Sequence, residues 1–497
     1  MASLGHPPWE HWPWQYWANL RPQALAIRSG GQRISWQQLA SDINALAAFF
    51  QQQGVVPGSG VALRGKNSYT LLLAYLAALQ CAARVLPLNP QLPDALLAQR
   101  LPTLDIHFML NLATPLPPHF AFTPLDPRTV DSAAVTPIAW DGQRLATLTL
   151  TSGSSGLPKA AVHSLGAHRA NADGVLALMN FTASDSWLLS LPLFHVSGQG
   201  IVWRWLTAGA TLGVPEGVPL VEALAGCSHA SLVPTQLWRL LANAAPPLTL
   251  KEVLLGGAMI PTELTEQAEA HGIRCWCGYG LTELASTVCA KRADGRPGVG
   301  VALAGRQVKL VDDEVWIKAD CLAAGYWQQG QLLPLTDSDG WFHTRDRGRW
   351  QQGELCILGR LDNLFFSGGE GIQPEDIERV LLQYSGVQHA FVIPVADAEF
   401  GHRPVAVIDS ADEVDVVALA DWLAPRLAVF QRPIAFYRLP TFLKRGGIKI
   451  SRQQLADWLR GKYEGRRLAK DRACQANSAQ FIVNERPIGG RPHHGLQ

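Results

Sequence analysis

The chain has almost no charge bias: 42 lysines and arginines face 41 aspartates and glutamates, a net of +1. That balance offers no basic stripe to nucleic acid and no pull toward an anionic membrane. Long apolar runs are also lacking. The longest, residues 71–79, is too short to cross a bilayer. The opening Met1-Ala2-Ser3-Leu4-Gly5-His6-Pro7-Pro8 lacks the basic and apolar regions of a signal peptide, so a cytoplasmic protein is the expectation. The eight cysteines, at 81, 227, 275, 277, 289, 321, 356 and 474, make no CxxC pair. Cys275 and Cys277 have one residue between them, which suits neither a redox motif nor a zinc pair. Reduced, structural thiols are the simplest reading. No internal repeat and no low-complexity block is present.

What is present is bulk and pattern. With 497 residues, 47% of them hydrophobic and 17% charged, the chain is a soluble globular type too long for one ordinary core. From about residue 20 to 360, short apolar strands alternate with helical periodicity. Val61-Ala62-Leu63 is followed by a helical stretch over 69–81, then Ala83-Arg84-Val85-Leu86-Pro87-Leu88. The pattern predicts an α/β fold with parallel and mixed sheets. The later Glu314-Val315-Trp316-Ile317-Lys318 and Glu354-Leu355-Cys356-Ile357-Leu358 read as antiparallel strands with polar faces. A boundary is expected near 359–363. Domains of 1–360 and 361–462 follow, the second a small α+β unit with a helix over 375–384 and strands over 389–394 and 405–408. Residues 463–497 are polar and aperiodic and read as a disordered tail. Of 17 tryptophans, four lie between Trp9 and Trp17, which suits an N-terminal helix pinning its aromatics to the core.

The densest chemical signal is Thr151-Ser152-Gly153-Ser154-Ser155-Gly156-Leu157-Pro158-Lys159, directly after the strand-like Ala146-Thr147-Leu148-Thr149-Leu150. Glycines and hydroxylated residues leave backbone N–H groups free to face an anion, and Lys159 adds a mobile charge. It is not the Walker pattern, because a proline precedes the lysine. Alone, such a stretch can be simply a loop.

Five further stretches follow in order. They are Leu191-Pro192-Leu193-Phe194-His195, then Gly278-Tyr279-Gly280-Leu281-Thr282-Glu283, then Thr344-Arg345-Asp346-Arg347-Gly348. After them come Gly359-Arg360-Leu361-Asp362-Asn363, running on to Gly368-Gly369-Glu370-Gly371, and lastly Gly446-Gly447-Ile448-Lys449-Ile450. Each has a bland reading: His195 as a buried, satisfied histidine, Asp346 as part of a salt-bridged turn. A carboxylate near a phosphate loop is nonetheless a natural Mg²⁺ ligand, and an Asp in a turn can accept two ribose hydroxyls.

Taken together, in this order, these stretches resemble the adenylate-forming superfamily of acyl-CoA synthetases and luciferases over about residues 10–460. The resemblance implies a large N-terminal adenylate-forming domain and a small mobile C-terminal one. It implies ATP and Mg²⁺. Thr151, Ser152, Gly153, Ser154, Ser155, Gly156 and Lys159 would hold the phosphates. Tyr279 would stack adenine, with Gly257 and Ala258 lining the same pocket. Thr282 and Glu283 would serve the α-phosphate and metal, Asp346 and Arg360 the ribose. Asp362 would be the hinge, and Lys449 would reach the reacting carboxylate and α-phosphate. Ile448 stands where the family usually has glycine.

Longer stretches resemble the 2-succinylbenzoate–CoA ligase family within that superfamily. They are 188–200, 231–240, 364–371 and Ala396-Asp397-Ala398-Glu399-Phe400-Gly401-His402-Arg403-Pro404. This resemblance implies CoA as co-substrate, an acyl-adenylate intermediate and a role in menaquinone biosynthesis. Ser197, Gln236 and Ser286 are the expected substrate contacts, and His195 would close the acyl pocket. The substrate keeps a second carboxylate, which needs donors or a cation once buried. Arg204 is one candidate, and an arginine stacked between Trp203 and Trp205 is the other reading of the same residue. Another aryl or short-chain acyl-CoA synthetase, or an enzyme loading a carrier protein, shares the ATP motifs. A homo-oligomer is left open.

Overall fold

The computed structural model describes residues 10–116, 120, 122–127, 134–151, 159–243, 246–247, 249–368, 370–397, 399–410, 414–444 and 450–473. Its contacts divide the chain into two units, one ending at Ile357 and the other beginning at Leu358.

The first unit carries two large mixed sheets. In one, Leu25–Ser29, Thr211–Val214, Ser186–Leu188, His229–Leu232, Glu252–Leu255 and Arg274–Leu281 lie side by side, all parallel. Ser286–Arg292 and Val301–Ala302 continue that sheet antiparallel. The other is built on parallel strands Gly60–Arg64, Arg84–Leu88, Ile106–Asn111 and Leu145–Thr151. Lys159–Ser164 and then Gly325–Gln328 extend it antiparallel. The expected α/β class is therefore observed. A smaller sheet contains Arg306–Val311, Glu314–Ala319, Phe342–Gln351 and Glu354–Arg360. Glu314–Ala319 pairs antiparallel with both neighbours, as read above, and Glu354–Arg360 is a strand of the same sheet.

Helices are set by local signals. Ser35, Ser68 and Ser164 cap the helices Trp36–Gln52, Tyr69–Gln80 and Leu165–Met179 by accepting from the N–H three residues on. Each such cap is worth about 1 kcal/mol. The apolar helix Tyr69–Gln80 is buried on nearly every side, and Val196–Ala208 is equally buried although it carries Gln199 and Arg204. Leu165–Met179 packs on Leu145–Thr151 and Lys159–Ser164 of one sheet and on Ser286–Arg292 of the other.

The N-terminal tryptophans do pin the helix Pro13–Leu20. Trp12, Trp14 and Trp17 are buried, and Trp12 stacks on Trp14 at 5.1 Å. Their indole N–H groups donate to Ile138 O, Gln80 Oε1 and Leu206 O at 2.7–2.8 Å. Burying an aromatic and satisfying its one donor avoids the cost of an orphaned polar group. The seven described cysteines are free and buried. Burial pushes the Cys81, Cys275 and Cys289 thiols up to about 12, far from thiolate chemistry at neutral pH.

The second unit has its own core. The helix Pro374–Leu381 and the helix Val416–Leu423 cover one face of the strands Val387–Asp397 and Gly401–Ser410 with Ile377, Leu381, Val392, Ala406, Leu419 and Leu423. Leu439, Leu455 and Leu459 pack with Ile393, Val405 and Val407 in a separate cluster. The last helix, Arg452–Ala473, runs eleven residues past the expected end at 462. Its extension is mostly charged and carries only scattered apolar residues, so no hydrophobic period marks it. Its arginines, leucine, alanines and lysine are nonetheless good helix formers. Residues 474–497 lie outside the described residues.

Candidate active site

The strand Leu145–Thr151 and the strand Lys159–Ser164 form an antiparallel pair, with Thr151 opposite Lys159. The glycine-rich segment therefore lies in sequence between two antiparallel, paired strands. Ser152, Gly153, Ser154, Ser155 and Gly156 lie outside the described residues, as does Lys449.

Lys159 is exposed at the hairpin base, its ammonium 4.9 Å from the centre of the Tyr326 ring. The Tyr326 hydroxyl donates to Glu283 Oε1 at 2.8 Å. Lys159, Tyr326 and Glu283 thus form one cluster drawn from three separate segments. Thr282 and Glu283 sit on a single 3-10 turn, Thr282–Leu284, just after the strand that carries Tyr279. Tyr326 was not foreseen. It reaches the cluster because Gly325–Gln328 pairs with Lys159–Ser164, a long-range pairing that local spacing does not show.

Tyr279 and Asp346 are joined directly. The phenol donates to Asp346 Oδ2 at 2.5 Å. Burial and that carboxylate push the phenol well above its ordinary value, so it stays a donor. Asp346 is 5% exposed, and its own N–H donates to Thr344 Oγ1 at 2.9 Å. The Thr344 hydroxyl in turn donates to Val315 O. Gly257 and Ala258 are exposed just beyond the strand Glu252–Leu255, with Gly257 at φ +78°.

One of the acyl-side residues, Ser286, meets a buried arginine. His195 is the N-cap of the helix Val196–Ala208, its ring edge-on to Phe194 at 4.8 Å. Ser197 is half-buried in the first turn of the same helix. Gln236 accepts from the Val233 N–H at 3.0 Å, so its amide oxygen ties down the start of the helix Pro234–Asn243. Ser286 accepts from Arg204 at 3.3 Å.

Arg204 is 1% exposed. Its Nη1 donates to Ser231 Oγ and its Nη2 to Ser286 Oγ and Thr287 Oγ1, each at 3.3 Å. Among the described residues its Nε has no partner and no carboxylate pairs with it. Burial, with the charge of Arg306 added, pulls the guanidinium down to about 9, still cationic at neutral pH. It is not stacked between its chain neighbours. Its guanidinium carbon lies 5.2 Å from the ring of Trp187, while Trp203 stacks on His168 and Trp205 on Trp36. A buried cation held only by hydroxyls at long distance is poised to receive an anion.

The backbone that presents Ser286 is unusual. Ala285 and Ser286 have φ of +55° and +144°, where a side chain is strained. Gly280 makes room for it, since a Cβ there would lie 2.0 Å from Ser286 O.

In the second unit, Arg360 and Asp362 face each other at 3.5 Å, and Asp362 lies on the 3-10 turn Leu361–Asn363. Gln373 Nε2 donates to Arg360 O at 2.9 Å.

Residues 14–327 match the AMP-binding enzyme family. The chain is 57% identical over 453 residues to a 2-succinylbenzoate–CoA ligase of Salmonella typhimurium, covering 91% of this chain and 97% of that one. It belongs to the 2-succinylbenzoate–CoA ligase family of AMP-binding enzymes. A ligase of the same name from Escherichia coli is 55% identical, with 91% of this chain and 98% of that one covered. Among solved structures, an arginine-to-lysine variant of E. coli MenE with bound OSB-AMS superposes with a TM-score of 0.86 at 54% identity, covering 91% of this chain and 99% of that one. A Bacillus subtilis MenE in complex with ATP and magnesium ion does so at 0.78 and 25% identity, covering 86% and 95%. Like those relatives, this chain is an ATP-using ligase of adenylate-forming fold. No helix among the described residues is long and apolar enough to cross a membrane.

Proposed function

We propose that this enzyme joins 2-succinylbenzoate to CoA through an acyl-adenylate, with release of AMP and pyrophosphate, as a step toward menaquinone. The observation that carries the substrate assignment is Arg204. A buried guanidinium with an unpartnered Nε and three hydroxyl neighbours suits a substrate carboxylate that is recognised and not consumed. A fatty-acid tunnel has no use for it.

A carboxylate is a poor acyl donor because its leaving group would be oxide. In the first half-reaction the succinyl carboxylate oxygen attacks the α-phosphorus, and the bond to the β-phosphate oxygen breaks. Pyrophosphate leaves with charge that Lys159 and the 151–159 loop offset. The carboxylate is already ionised at neutral pH, so His195 need not act as a base and serves to close the acyl pocket. Lys449 neutralises charge where carboxylate meets phosphate. In the second half-reaction the CoA thiolate attacks the acyl carbon, and AMP leaves as the thioester forms. Asp362 is the pivot between the two, and the glycines of 368–371 give the pantetheine arm close backbone approach.

Tyr279 and Asp346, with Gly257, Ala258 and Arg360, take the nucleoside; Thr282 serves the α-phosphate. Ser197, Gln236 and Ser286 line the acyl end. A Mg²⁺ ion fits the residues present. Glu283 has one oxygen engaged by Tyr326 and one left over, and a single carboxylate plus phosphate oxygens is an ordinary Mg²⁺ set. Held there, the ion would offset phosphate charge.

The test is a coupled assay with Mg-ATP and CoA, following AMP and thioester with 2-succinylbenzoate, benzoate, a short fatty acid and a long one. Selective thioester from 2-succinylbenzoate supports the reading. AMP without thioester moves the acceptor to a carrier protein, and activity only with another acid discards the substrate.

A further inference from the structure

Arg204 is not the only buried cation at this place. Arg306, on the strand Arg306–Val311, is 7% exposed, and among the described residues it too has no carboxylate partner. Among the described residues every hydrogen bond it makes goes to a carbonyl: Nε to Thr287 O at 3.1 Å, Nη1 to Ala304 O at 2.6 Å and Nη2 to Asn171 O at 3.0 Å. Thr287 O also accepts from Asn171 Nδ2 at 3.0 Å. The same Asn171 amide donates to Leu284 O at 2.8 Å. Asn171 therefore bridges two carbonyls that bracket the strained Ala285 and Ser286. From the other side, the Ala285 N–H donates to His163 Nε2 at 3.2 Å. Strain of this kind persists only where the surroundings over-determine it.

What the clamp holds is a pair of hydroxyls. Ser286 and Thr287 are two of the three groups that receive Arg204. Gly174, inside the helix Leu165–Met179, leaves the space: a Cβ there would stand 2.4 Å from Arg306 Nη1.

We propose that Arg306 is a specificity-positioning residue for the far carboxylate of the acid. It fixes the Ser286–Thr287 backbone that aims Arg204, and it adds a second positive charge to that end of the acyl pocket. The inference rests on the substrate reading above, since it needs an acid with a carboxylate that does not react. Two buried cations with only neutral partners favour a ligand that brings negative charge, and they make its absence costly.

The experiment compares 2-succinylbenzoate with 4-oxo-4-phenylbutanoate, the same acid without the ring carboxylate. Wild-type enzyme is expected to favour the first by about a hundredfold or more in kcat/KM. Arg306→Gln should lower kcat/KM for 2-succinylbenzoate on the order of tenfold, through KM, and leave the second acid within about twofold. Gly174→Ala keeps the charge and suits a helix interior, yet displaces the guanidinium, so it should shift the ratio the same way in a normally melting protein. Arg306→Lys should restore part of the ratio. In an Arg204→Gln background neither Arg306→Gln nor Gly174→Ala should lower the ratio further. Equal losses on both acids, or an unchanged ratio in Gly174→Ala, overturn the proposal while the substrate reading stands. A wild-type enzyme that does not discriminate overturns the substrate reading and this inference with it.

Discussion

Tyr279 donates its hydroxyl hydrogen to the Asp346 carboxylate across 2.5 Å, joining two residues 67 positions apart that are assigned to different parts of one nucleoside. The bond orients the carboxylate before ATP arrives. Tyr279→Phe keeps the ring but frees the acid. The loss of one hydrogen bond to a charged group is about 1.5–3 kcal/mol. KM for ATP should therefore rise about tenfold or more, with kcat little changed. Steady-state kinetics in ATP check this. A fall in kcat at constant KM would place the hydroxyl in the chemical step instead.

Asn67 holds the approach to His195. Its Nδ2 donates to Leu189 O and Leu191 O at 3.1 and 2.8 Å, and its Oδ1 accepts from the Leu193 N–H at 3.0 Å. One amide thus fixes both ends of the turn that leads into the His195 helix. Asn67→Ala orphans two carbonyls and one N–H, and should cost about 1–3 kcal/mol of stability. If the turn positions His195, kcat/KM for the acid should fall further than kcat/KM for ATP. Equal falls would reduce Asn67 to a structural part.

How much of this was legible follows from where the chemistry sits along the chain. The 151–159 loop was visible because its function is local: nine consecutive residues carry the glycines, the hydroxyls and the lysine. Tyr326 was invisible because its hydrogen bond to Glu283, 43 positions away, depends on the pairing of Gly325–Gln328 with Lys159–Ser164. Arg204 stayed ambiguous between two tryptophans. Successive residues on a helix point about 100° apart, so Trp203 and Trp205 diverge to His168 and Trp36 and leave the guanidinium to Ser231, Ser286 and Thr287. The backbone clamp from Asn171 and Arg306 could not be read at all, since its acceptors are carbonyls and carry no side-chain signature.

The histidine pair under that clamp predicts a pH dependence. His163 and His168 are fully buried, their rings 5.2 Å apart. Burial lowers His163 from 6.5 to about 4, and burial with the charge of His163 lowers His168 well below 6.5. The unfolded chain therefore binds protons that the folded chain refuses. Stability is fully present above about pH 6.5 and is lost as pH falls toward 4, by about 1.4 kcal/mol per pH unit for each histidine. Denaturant melts between pH 7 and 4.5 should show this slope. His163→Gln can still accept from Ala285 and should remove about half of it. An unchanged slope would show that His163 is not held neutral.

Lys449 and Arg452 are three residues apart, and we read them as doing different kinds of work. Arg452 Nη2 donates to both oxygens of Glu378 at 2.6 and 2.5 Å, and its Nη1 to Val392 O at 3.0 Å. Glu378 also accepts from the Val392 N–H, so the pair anchors the last helix to the strand Val387–Asp397. Removing Arg452 leaves a carboxylate that is 6% exposed without its cation. Arg452→Ala should cost about 3 kcal/mol of stability, the lower end for a broken buried pair. Both half-reactions should then decline together as the protein loosens. Lys449 has the catalytic assignment. Lys449→Ala should melt like the wild type yet slow acyl-adenylate formation by about 10²–10³, the range for losing one stabiliser of transition-state charge. Thioester formation from supplied acyl-adenylate should be nearly unaffected. Pyrophosphate release and thioester release, measured separately on the two variants, distinguish the cases. If Lys449→Ala slows both half-reactions equally in a normally melting protein, the lysine does not divide its work between them, and the alternation about Asp362 has lost its main support.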